Sequence, residues 1–221
     1  MKEDNTYRIN MVENHIRTLN VIDDNVLNTL KTVPRKNFVP EKYKSFAHVD
    51  IRIPLGHKQF MLLPSVEAKL LQAINIQKDE DVLVVGSGSG YLSTCVSMFA
   101  GRVHSIDIIK DFIDVSKKIA DKMTYKNMIF EHGNVLDNPS LIKNYKVIIF
   151  TMALNELEII LDNMSNNARS FILHSELNQP VQTGIIIHKT DKSSFVKEYI
   201  LETNVESIIT EKIQWKKPHK K

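Results

Sequence analysis

The chain has very little cysteine and no strong excess of charge, and both absences narrow what it can be. Cys95 is the only cysteine among 221 residues, so an intrachain disulfide is excluded and a reducing, cytoplasmic location is the simplest expectation. The formal net charge is only +3, which gives no reason to expect a nucleic-acid partner. No run approaches 18 apolar residues, and the polar start at Met1 does not resemble a secretory signal, so we expect no membrane association.

What is present is the composition of a globular protein. Hydrophobic residues make up 43% and charged residues 25%, and a chain of this length buries enough surface to fold without disulfides or metal. We expect one structural domain in three parts: helices and a loop over residues 1–64, a core over 65–212 and a basic tail over 213–221. The sequence gives no oligomeric state.

The amino-terminal part has the spacing of amphipathic helices. Apolar residues recur three or four positions apart, which predicts one buried helix face. Its members are Ile9, Val12, Ile16 and Leu19. A second helix is predicted to start at Asp23 and Asp24, to bury Val26, Leu27 and Leu30, and to stop at Pro34.

From Asp81 onward, short apolar runs alternate with helical segments. The run over residues 82–85 (VLVV) ends in glycines, which is typical of a strand buried on both faces. Further strands are predicted over 103–106, 128–130, 147–150, 170–173, 184–188 and 198–201, with helices over 91–100, 111–123 and 155–164. The alternation predicts an α/β fold, with a mostly parallel central sheet, helices on both faces and an antiparallel edge after residue 174.

The strongest chemical signal is a glycine-rich turn that leaves the first predicted strand. It reads Gly-Ser-Gly-Ser-Gly and stands directly before a helix, whose amino terminus offers free N–H groups. Asp107 ends the second predicted strand, where a carboxylate can accept hydrogen bonds from both hydroxyls of a ribose. The predicted contacts to a nucleoside are Gly86, Ser87, Gly88, Gly90 and Asp107.

The spacing of the glycines favours S-adenosylmethionine over a dinucleotide. A dinucleotide-binding turn reads G-x-G-x-x-G, whereas here Tyr91 holds the place of the third glycine. A plainer interpretation is a tight turn beside a solvated Asp107. A nucleophile elbow is excluded, because Gly88 stands where its serine would be.

Several motifs in one order resemble the protein-L-isoaspartate O-methyltransferase family. They are residues 11–17 (MVENHIR), 33–40 (VPRKNFVP), 54–59 (PLGHKQ), 82–91 (VLVVGSGSGY), 101–107 (GRVHSID), 131–134 (EHGN) and 145–148 (YKVI). The resemblance implies a Rossmann-like methyltransferase fold, S-adenosylmethionine as cofactor, and methyl transfer to the carboxylate of isoaspartyl residues in damaged proteins or peptides. It also places Asn134 and Val135 beside the adenine, and the loop over 56–63 above the methyl group.

The chain departs from that family where the acceptor is held. Phe60, Met61 and Leu62 stand at the places of the family's Thr-Ile-Ser, whose hydroxyls help to position the isoaspartyl carboxylate. We therefore assign Leu62 a location but no catalytic role, and name Gln59 and His57 as candidate replacement donors. Asn134 replaces the family's acidic residue near the adenine, a milder change because an amide oxygen still accepts a hydrogen bond.

Two alternatives follow from the altered loop. The apolar run over residues 60–63 favours a non-catalytic homologue that uses it as a contact surface for another protein, or a methyltransferase for a less polar acceptor. The histidines do not have the spacing of metal ligands, so no metal is expected. Cys95 is interpreted as a core residue and not as a nucleophile. The basic tail is interpreted as solvated.

Overall fold

A computed structural model of the protein describes residues 2–123, 125–175, 181–191 and 194–203. In these ranges, the α-helices are α1 (Lys2–Met11), α2 (Asp24–Thr32), α3 (Pro64–Ile74), α4 (Tyr91–Ser97), α5 (Lys110–Met123) and α6 (Glu158–Asn163). The strands are β1 (Pro54–Gly56), β2 (Gln59–Phe60), β3 (Asp81–Val85), β4 (Arg102–Asp107), β5 (Met128–His132), β6 (Val147–Leu154), β7 (Arg169–His174), β8 (Gln182–Lys189) and β9 (Phe195–Thr203).

Seven of these strands form one sheet in the order β5-β4-β3-β6-β7-β8-β9. The pairs from β5 to β7 are parallel, and β8 and β9 join them antiparallel. The predicted parallel sheet with an antiparallel edge is therefore confirmed. Each strand extends a little beyond its predicted bounds, because hydrogen bonding continues past the apolar run from which it was predicted.

Side chains of the sheet alternate between two apolar layers, as the period of two in a strand requires. Val82 and Val84 face a layer shared with α3, α4 and the amino-terminal helices. Leu83 and Val85 face the opposite layer, together with α6. The core thus lies on both sides of the sheet, and the ends of the central strands are left to form a site.

The start of α2 agrees with the sequence prediction. The Asp23 carboxylate accepts hydrogen bonds from the backbone N–H groups of Asn25 and Val26, which caps the helix. Val26, Leu27 and Leu30 are buried, and the helix ends at Thr32, two residues before Pro34. This end leaves Arg35 to start the 3₁₀ turn Arg35–Phe38.

The predicted amino-terminal stripe is wrong at Ile9, whose side chain is exposed. A π-helical turn, Val12–Ile16, follows α1 and changes the helical phase, so Met11 rather than Ile9 faces the core beside Val12 and Ile16. The last predicted helix is also shorter than expected, because β6 runs on to Leu154 and α6 begins only at Glu158. The predicted tail over 213–221 lies outside the described residues.

The connection from α2 to α3 contains two 3₁₀ turns, Arg35–Phe38 and Glu41–Phe46, and the small hairpin of β1 and β2. His57 and Lys58 form the hairpin turn with positive φ angles. Phe60 ends β2 of this hairpin, and Met61 and Leu62 follow it directly.

Candidate active site

A cleft of about 1460 Å³ opens where β3, β4 and β6 end. Chain order reverses at β3, since β4 and β5 extend to one side of it and β6 and β7 to the other. Parallel sheets bind ligands at such a switch point, outside the carboxyl ends of the strands. The cleft lining contains the predicted Gly86, Ser87, Gly88, Asp107, Asn134 and Val135, together with residues 59–62 at the end of the hairpin. Gly90, which was also predicted as a contact, lies outside this lining.

The turn over residues 86–90 has a left-handed backbone, which favours glycine, at three of its positions. Gly86, Gly88 and Gly90 have φ angles of +86°, +51° and +80°. A Cβ at Gly86 would lie 2.3 Å from Thr151 Oγ1, so a side chain there is excluded. Thr151 in turn donates a hydrogen bond to the Gly86 carbonyl oxygen at 2.7 Å, which ties the turn to β6. The turn is therefore fixed before any ligand arrives.

Asp107 points at this turn and is not solvated. Its side chain is 7% exposed, so the plainer interpretation of a solvated aspartate is wrong. One carboxylate oxygen accepts the Gly88 N–H at 2.9 Å, and the other accepts the Ile109 N–H at 2.9 Å. Burial raises the pKa of the Asp107 carboxyl, although the hydrogen bonds from Gly88 and Ile109 oppose that shift. Two oxygens of fixed orientation thus face the cleft beside the glycine turn.

Asn134 and Val135 follow β5 and line the same cleft. The Asn134 amide oxygen accepts the Leu136 N–H at 3.1 Å, and its nitrogen donates to Asp137 at 3.2 Å. Both ends of this side chain are therefore engaged in a local turn. Val135 is buried in the core layer that contains Leu83 and Val85.

The altered loop forms an apolar part of the cleft wall. Met61 and Leu62 are only 4% and 7% exposed and pack into the core. The interpretation of this run as a contact surface is therefore wrong for these two residues, since they are already covered. The Met61 N–H donates to the Ile53 carbonyl oxygen at 2.9 Å, which adds a backbone contact beside the hairpin.

The two candidate donors are placed differently. Gln59 is buried and lines the cleft, and its amide nitrogen lies 3.4 Å from the His57 carbonyl oxygen. His57 does not line the cleft: its Nε2 is 3.0 Å from Asp111 on α5, and its ring meets Phe112 edge-on. Of the two candidates, Gln59 therefore lines the cleft and His57 does not.

A buried ion pair beneath this wall was not predicted. Arg35 is fully buried, and one of its guanidinium nitrogens pairs with Glu67 of α3, which lines the cleft. Burial raises the pKa of Glu67 to about 7 against the opposing effect of Arg35. The available signal was the position of Glu67 on the apolar stripe of α3, three residues before Leu70 and four before Leu71.

Acidic side chains dominate the charged part of the lining. Among the described residues they are Glu67, Asp107, Glu156, Glu158 and Asp162, against one lysine, Lys197. Carboxylates around a cleft favour a cationic ligand and disfavour an anionic one.

Two other candidate chemistries find no support. Cys95 is buried, and burial raises the pKa of its thiol, which opposes formation of a nucleophilic thiolate. Within the described ranges, no three His, Cys, Asp or Glu side chains are grouped to hold a metal ion. In the same ranges, no helix has both the length and the apolar content to cross a membrane.

Solved structures of methyltransferases share this fold. A beta-aspartate methyltransferase (PCMT) from Plasmodium falciparum, in complex with S-adenosyl-L-homocysteine, superposes with a TM-score of 0.74 at 23% identity, covering 89% of this chain and 95% of that one. A second protein-L-isoaspartate O-methyltransferase superposes with a TM-score of 0.75 at 21% identity, covering 89% of this chain and 64% of that one. At these identities the likeness establishes the fold.

The sequence comparisons establish the family. The family model "Protein-L-isoaspartate(D-aspartate) O-methyltransferase (PCMT)" matches residues 6–204, so the chain belongs to the protein-L-isoaspartate O-methyltransferase family. Protein-L-isoaspartate O-methyltransferase 2 of Anaeromyxobacter sp. (strain Fw109-5) is 31% identical over 152 residues, 69% of this chain and 63% of that protein. The corresponding protein of Aeropyrum pernix is 34% identical over 125 residues, 55% of this chain and 48% of that protein. The matches thus span about half to two thirds of these relatives.

Proposed function

We propose that this protein is an S-adenosylmethionine-dependent methyltransferase that esterifies the carboxylate of isoaspartyl residues in damaged proteins or peptides. The observation that carries the proposal is the pairing of a rigid glycine turn with a buried, oriented Asp107 at the head of an open cleft. Family membership and the S-adenosyl-L-homocysteine bound to the Plasmodium falciparum neighbour support it.

The residues present fit this cofactor. Asp107 would accept hydrogen bonds from the hydroxyls of a ribose, and the backbone at Gly86 and Gly88 would contact the methionine portion. Val135 and Asn134 would flank the adenine, mainly through backbone and apolar contact because the Asn134 amide is engaged elsewhere. The acidic lining favours a positively charged sulfonium.

When bound, the cofactor supplies an electrophilic methyl group. The free carboxyl of an isoaspartyl residue is its α-carboxyl, with a pKa below about 4, so it is already ionised at neutral pH and this chain needs no general base. Its own residues have to orient the carboxylate and exclude water. Gln59 lines the cleft and would be the donor to the acceptor carboxylate, and the buried side chains of Met61 and Leu62 would exclude water from that wall.

The apolar wall sets the expected rate. A hydrogen bond to a charged group contributes about 1.5–3 kcal/mol, so loss of two hydroxyl donors would slow transfer by roughly two to four orders of magnitude. We therefore infer that isoaspartyl methylation is slow in this chain.

A second candidate function rests on the same wall. Met61 and Leu62 are buried apolar residues of the cleft wall, and Glu67 adds a carboxyl group to it, where an anionic acceptor would have to bind. Such a wall favours a less polar acceptor, or binding of the cofactor without methyl transfer.

The test measures binding and transfer separately. S-Adenosyl-L-homocysteine is titrated by calorimetry, and methyl transfer to an isoaspartyl peptide is compared with transfer to the matching aspartyl peptide. Leu62→Ser should raise kcat/KM by at least about tenfold without changing cofactor affinity, because it restores one hydroxyl donor. Leu63→Ser is the matched control, since Leu63 is outside the cleft lining.

Each outcome discriminates. Absence of cofactor binding refutes both candidates. Binding without transfer in the wild type and in Leu62→Ser supports the second. Leu62 is buried, so the variant is expected to lose about 2–4 kcal/mol of stability, and thermal unfolding has to show that it is folded at the assay temperature.

We also infer the biological role, the location and the partners of the protein. We infer a role in protein repair, from the isoaspartyl acceptor. We infer a cytoplasmic location from the single cysteine, and partners limited to protein or peptide substrates, with no nucleic acid or membrane, from the weak net charge.

A further inference from the structure

Three elements of the cleft meet at one buried guanidinium group. Arg35 starts the 3₁₀ turn Arg35–Phe38 within the amino-terminal part of the chain, and its side chain is fully buried. Arg35 belongs to the motif over residues 33–40, and the proposed function assigns this residue no role. A long, charged side chain with no solvent exposure requires partners that compensate its desolvation.

The partners of Arg35 belong to different parts of the site. One guanidinium nitrogen pairs with the Glu67 carboxylate, and the other donates to the Leu62 carbonyl oxygen at 2.8 Å. The guanidinium carbon lies 4.5 Å from the centre of the Tyr91 ring. Leu62 and Glu67 line the cleft, and Tyr91 is the first residue of α4, directly after Gly90.

We propose that Arg35 is a positioning residue, which holds the Leu62 segment at a fixed distance from the glycine turn and so aligns the acceptor with the methyl group. This inference rests on the proposed function. The planar fork of an arginine holds a carboxylate and a carbonyl in one fixed geometry, which a lysine does not. A displacement of about 1 Å of a reacting group costs about a hundredfold in rate, so the fixed geometry has a catalytic consequence.

A role in stability alone accounts poorly for this arrangement. Replacing a buried ion pair by apolar residues of similar volume is often neutral or stabilising. An apolar pair in place of Arg35 and Glu67 would fill the same space, but it could not donate to the Leu62 carbonyl. Stability and positioning are therefore separable by mutation.

The chain offers a matched control in Arg169. This residue pairs through two nitrogens with Glu80, at 2.7 and 2.6 Å, and donates to the carbonyl oxygens of Ile74 and Asn75. Neither Arg169 nor Glu80 lines the cleft. Arg169 thus makes the same kinds of contact as Arg35, to a carboxylate and to backbone carbonyl oxygens, but outside the cleft lining.

The experiment compares Arg35→Lys, the double variant Arg35→Met/Glu67→Leu, and Arg169→Met. For each, we would measure thermal unfolding, the Kd for S-adenosyl-L-homocysteine, kcat and KM with an isoaspartyl peptide, and amide hydrogen exchange over residues 60–63. The double variant should recover most of the wild-type thermal stability, yet lose about ten- to a hundredfold in kcat and exchange faster over 60–63. The cofactor Kd should change by less than about threefold, because Asp107 and the glycine turn are untouched.

Arg35→Lys guards against a double variant that does not fold. It keeps a cation for Glu67 but lacks the fork, so we expect a folded protein with kcat lowered at least about fivefold and faster exchange over 60–63. Arg169→Met should lower thermal stability while leaving kcat within about twofold of the wild type.

The proposal is overturned if kcat returns together with stability in the double variant, or if Arg169→Met loses as much kcat as the Arg35 variants. Unchanged exchange over 60–63 in either Arg35 variant also overturns it. That last measurement needs no turnover. If the wild type binds S-adenosyl-L-homocysteine but methylates no isoaspartyl peptide, the proposed function fails while the exchange data still decide the role of Arg35.

Discussion

The two sides of the cleft are built in different ways. On the cofactor side, the glycine turn and Asp107 stand at the ends of neighbouring parallel strands and are fixed by backbone hydrogen bonds. On the acceptor side, the wall belongs to a two-stranded hairpin and the residues after it. Two side chains from elsewhere in the chain contact these residues. Arg35 of the 3₁₀ turn donates a hydrogen bond to the Leu62 carbonyl oxygen, and Asp111 of α5 lies next to His57.

This difference predicts that the hairpin wall can change its residues more readily than the glycine turn and Asp107. A position fixed by the sheet tolerates few replacements, because each one disturbs hydrogen bonds shared with neighbouring strands. A loop held by a few side chains can change its residues while the sheet stays intact. Under the proposed function, such changes would alter the acceptor preference and leave the cofactor site intact.

We expect the largest loss of stability and of ligand binding from a substitution in the glycine turn. Gly86→Ala would place a Cβ 2.3 Å from Thr151 Oγ1 and strain a φ of +86°, so we expect a loss of about 2–5 kcal/mol in stability and no measurable S-adenosyl-L-homocysteine binding. Thermal unfolding and calorimetry measure both. The matched variant is Gly56→Ala on the hairpin, which also has a positive φ but no atom within 4 Å of the new Cβ. It should lose only about 1–2 kcal/mol, and equal losses in the two variants would contradict the comparison.

The next effect concerns the charge on Asp107. Asp107→Asn keeps the size of the side chain but replaces an ionised acceptor, and should weaken S-adenosyl-L-homocysteine binding by about ten- to a hundredfold. Under the proposed function, the ribose hydroxyls would donate to the ionised form, so binding in the wild type should weaken as the pH falls through the pKa of Asp107.

Because burial raises that pKa, the loss of affinity should begin at a higher pH than for an exposed aspartate. Calorimetry from about pH 8 down to about pH 4, where even an exposed aspartate titrates, would show this loss of affinity, and Asp107→Asn should not show it. A wild-type affinity that stays constant over the whole range would count against Asp107 as the ribose acceptor.

The smallest effect concerns the contact between the hairpin and α5. His57 and Asp111 are 3.0 Å apart but partly exposed, and exposed pairs of this kind contribute little. Asp111→Asn should change the dissociation rate of S-adenosyl-L-homocysteine by about twofold or less, and added salt should reduce the difference further. Stopped-flow measurements check this, with Asp114→Asn as the control, since Asp114 pairs with Lys110 on the same helix and not with the hairpin. A tenfold change would show that the hairpin gates the cofactor.

Much of the fold was predictable because its signals are local. Apolar runs of β-branched residues predicted the strands, and Asp23 and Pro34 marked the ends of α2. The prediction failed at Ile9, because a π-turn depends on packing and leaves no periodic signal in the sequence.

The α/β class and the glycine turn with Asp107 at the end of the next strand could be predicted from the amino-acid sequence, because strand period, glycine spacing and strand order are local patterns. The burial of Met61 and Leu62, the position of His57 outside the cleft, and the contacts of Arg35 with Leu62, Glu67 and Tyr91 became evident from the three-dimensional structure. These contacts join residues far apart in the chain. They depend on how whole elements pack, and no local pattern encodes such a distance.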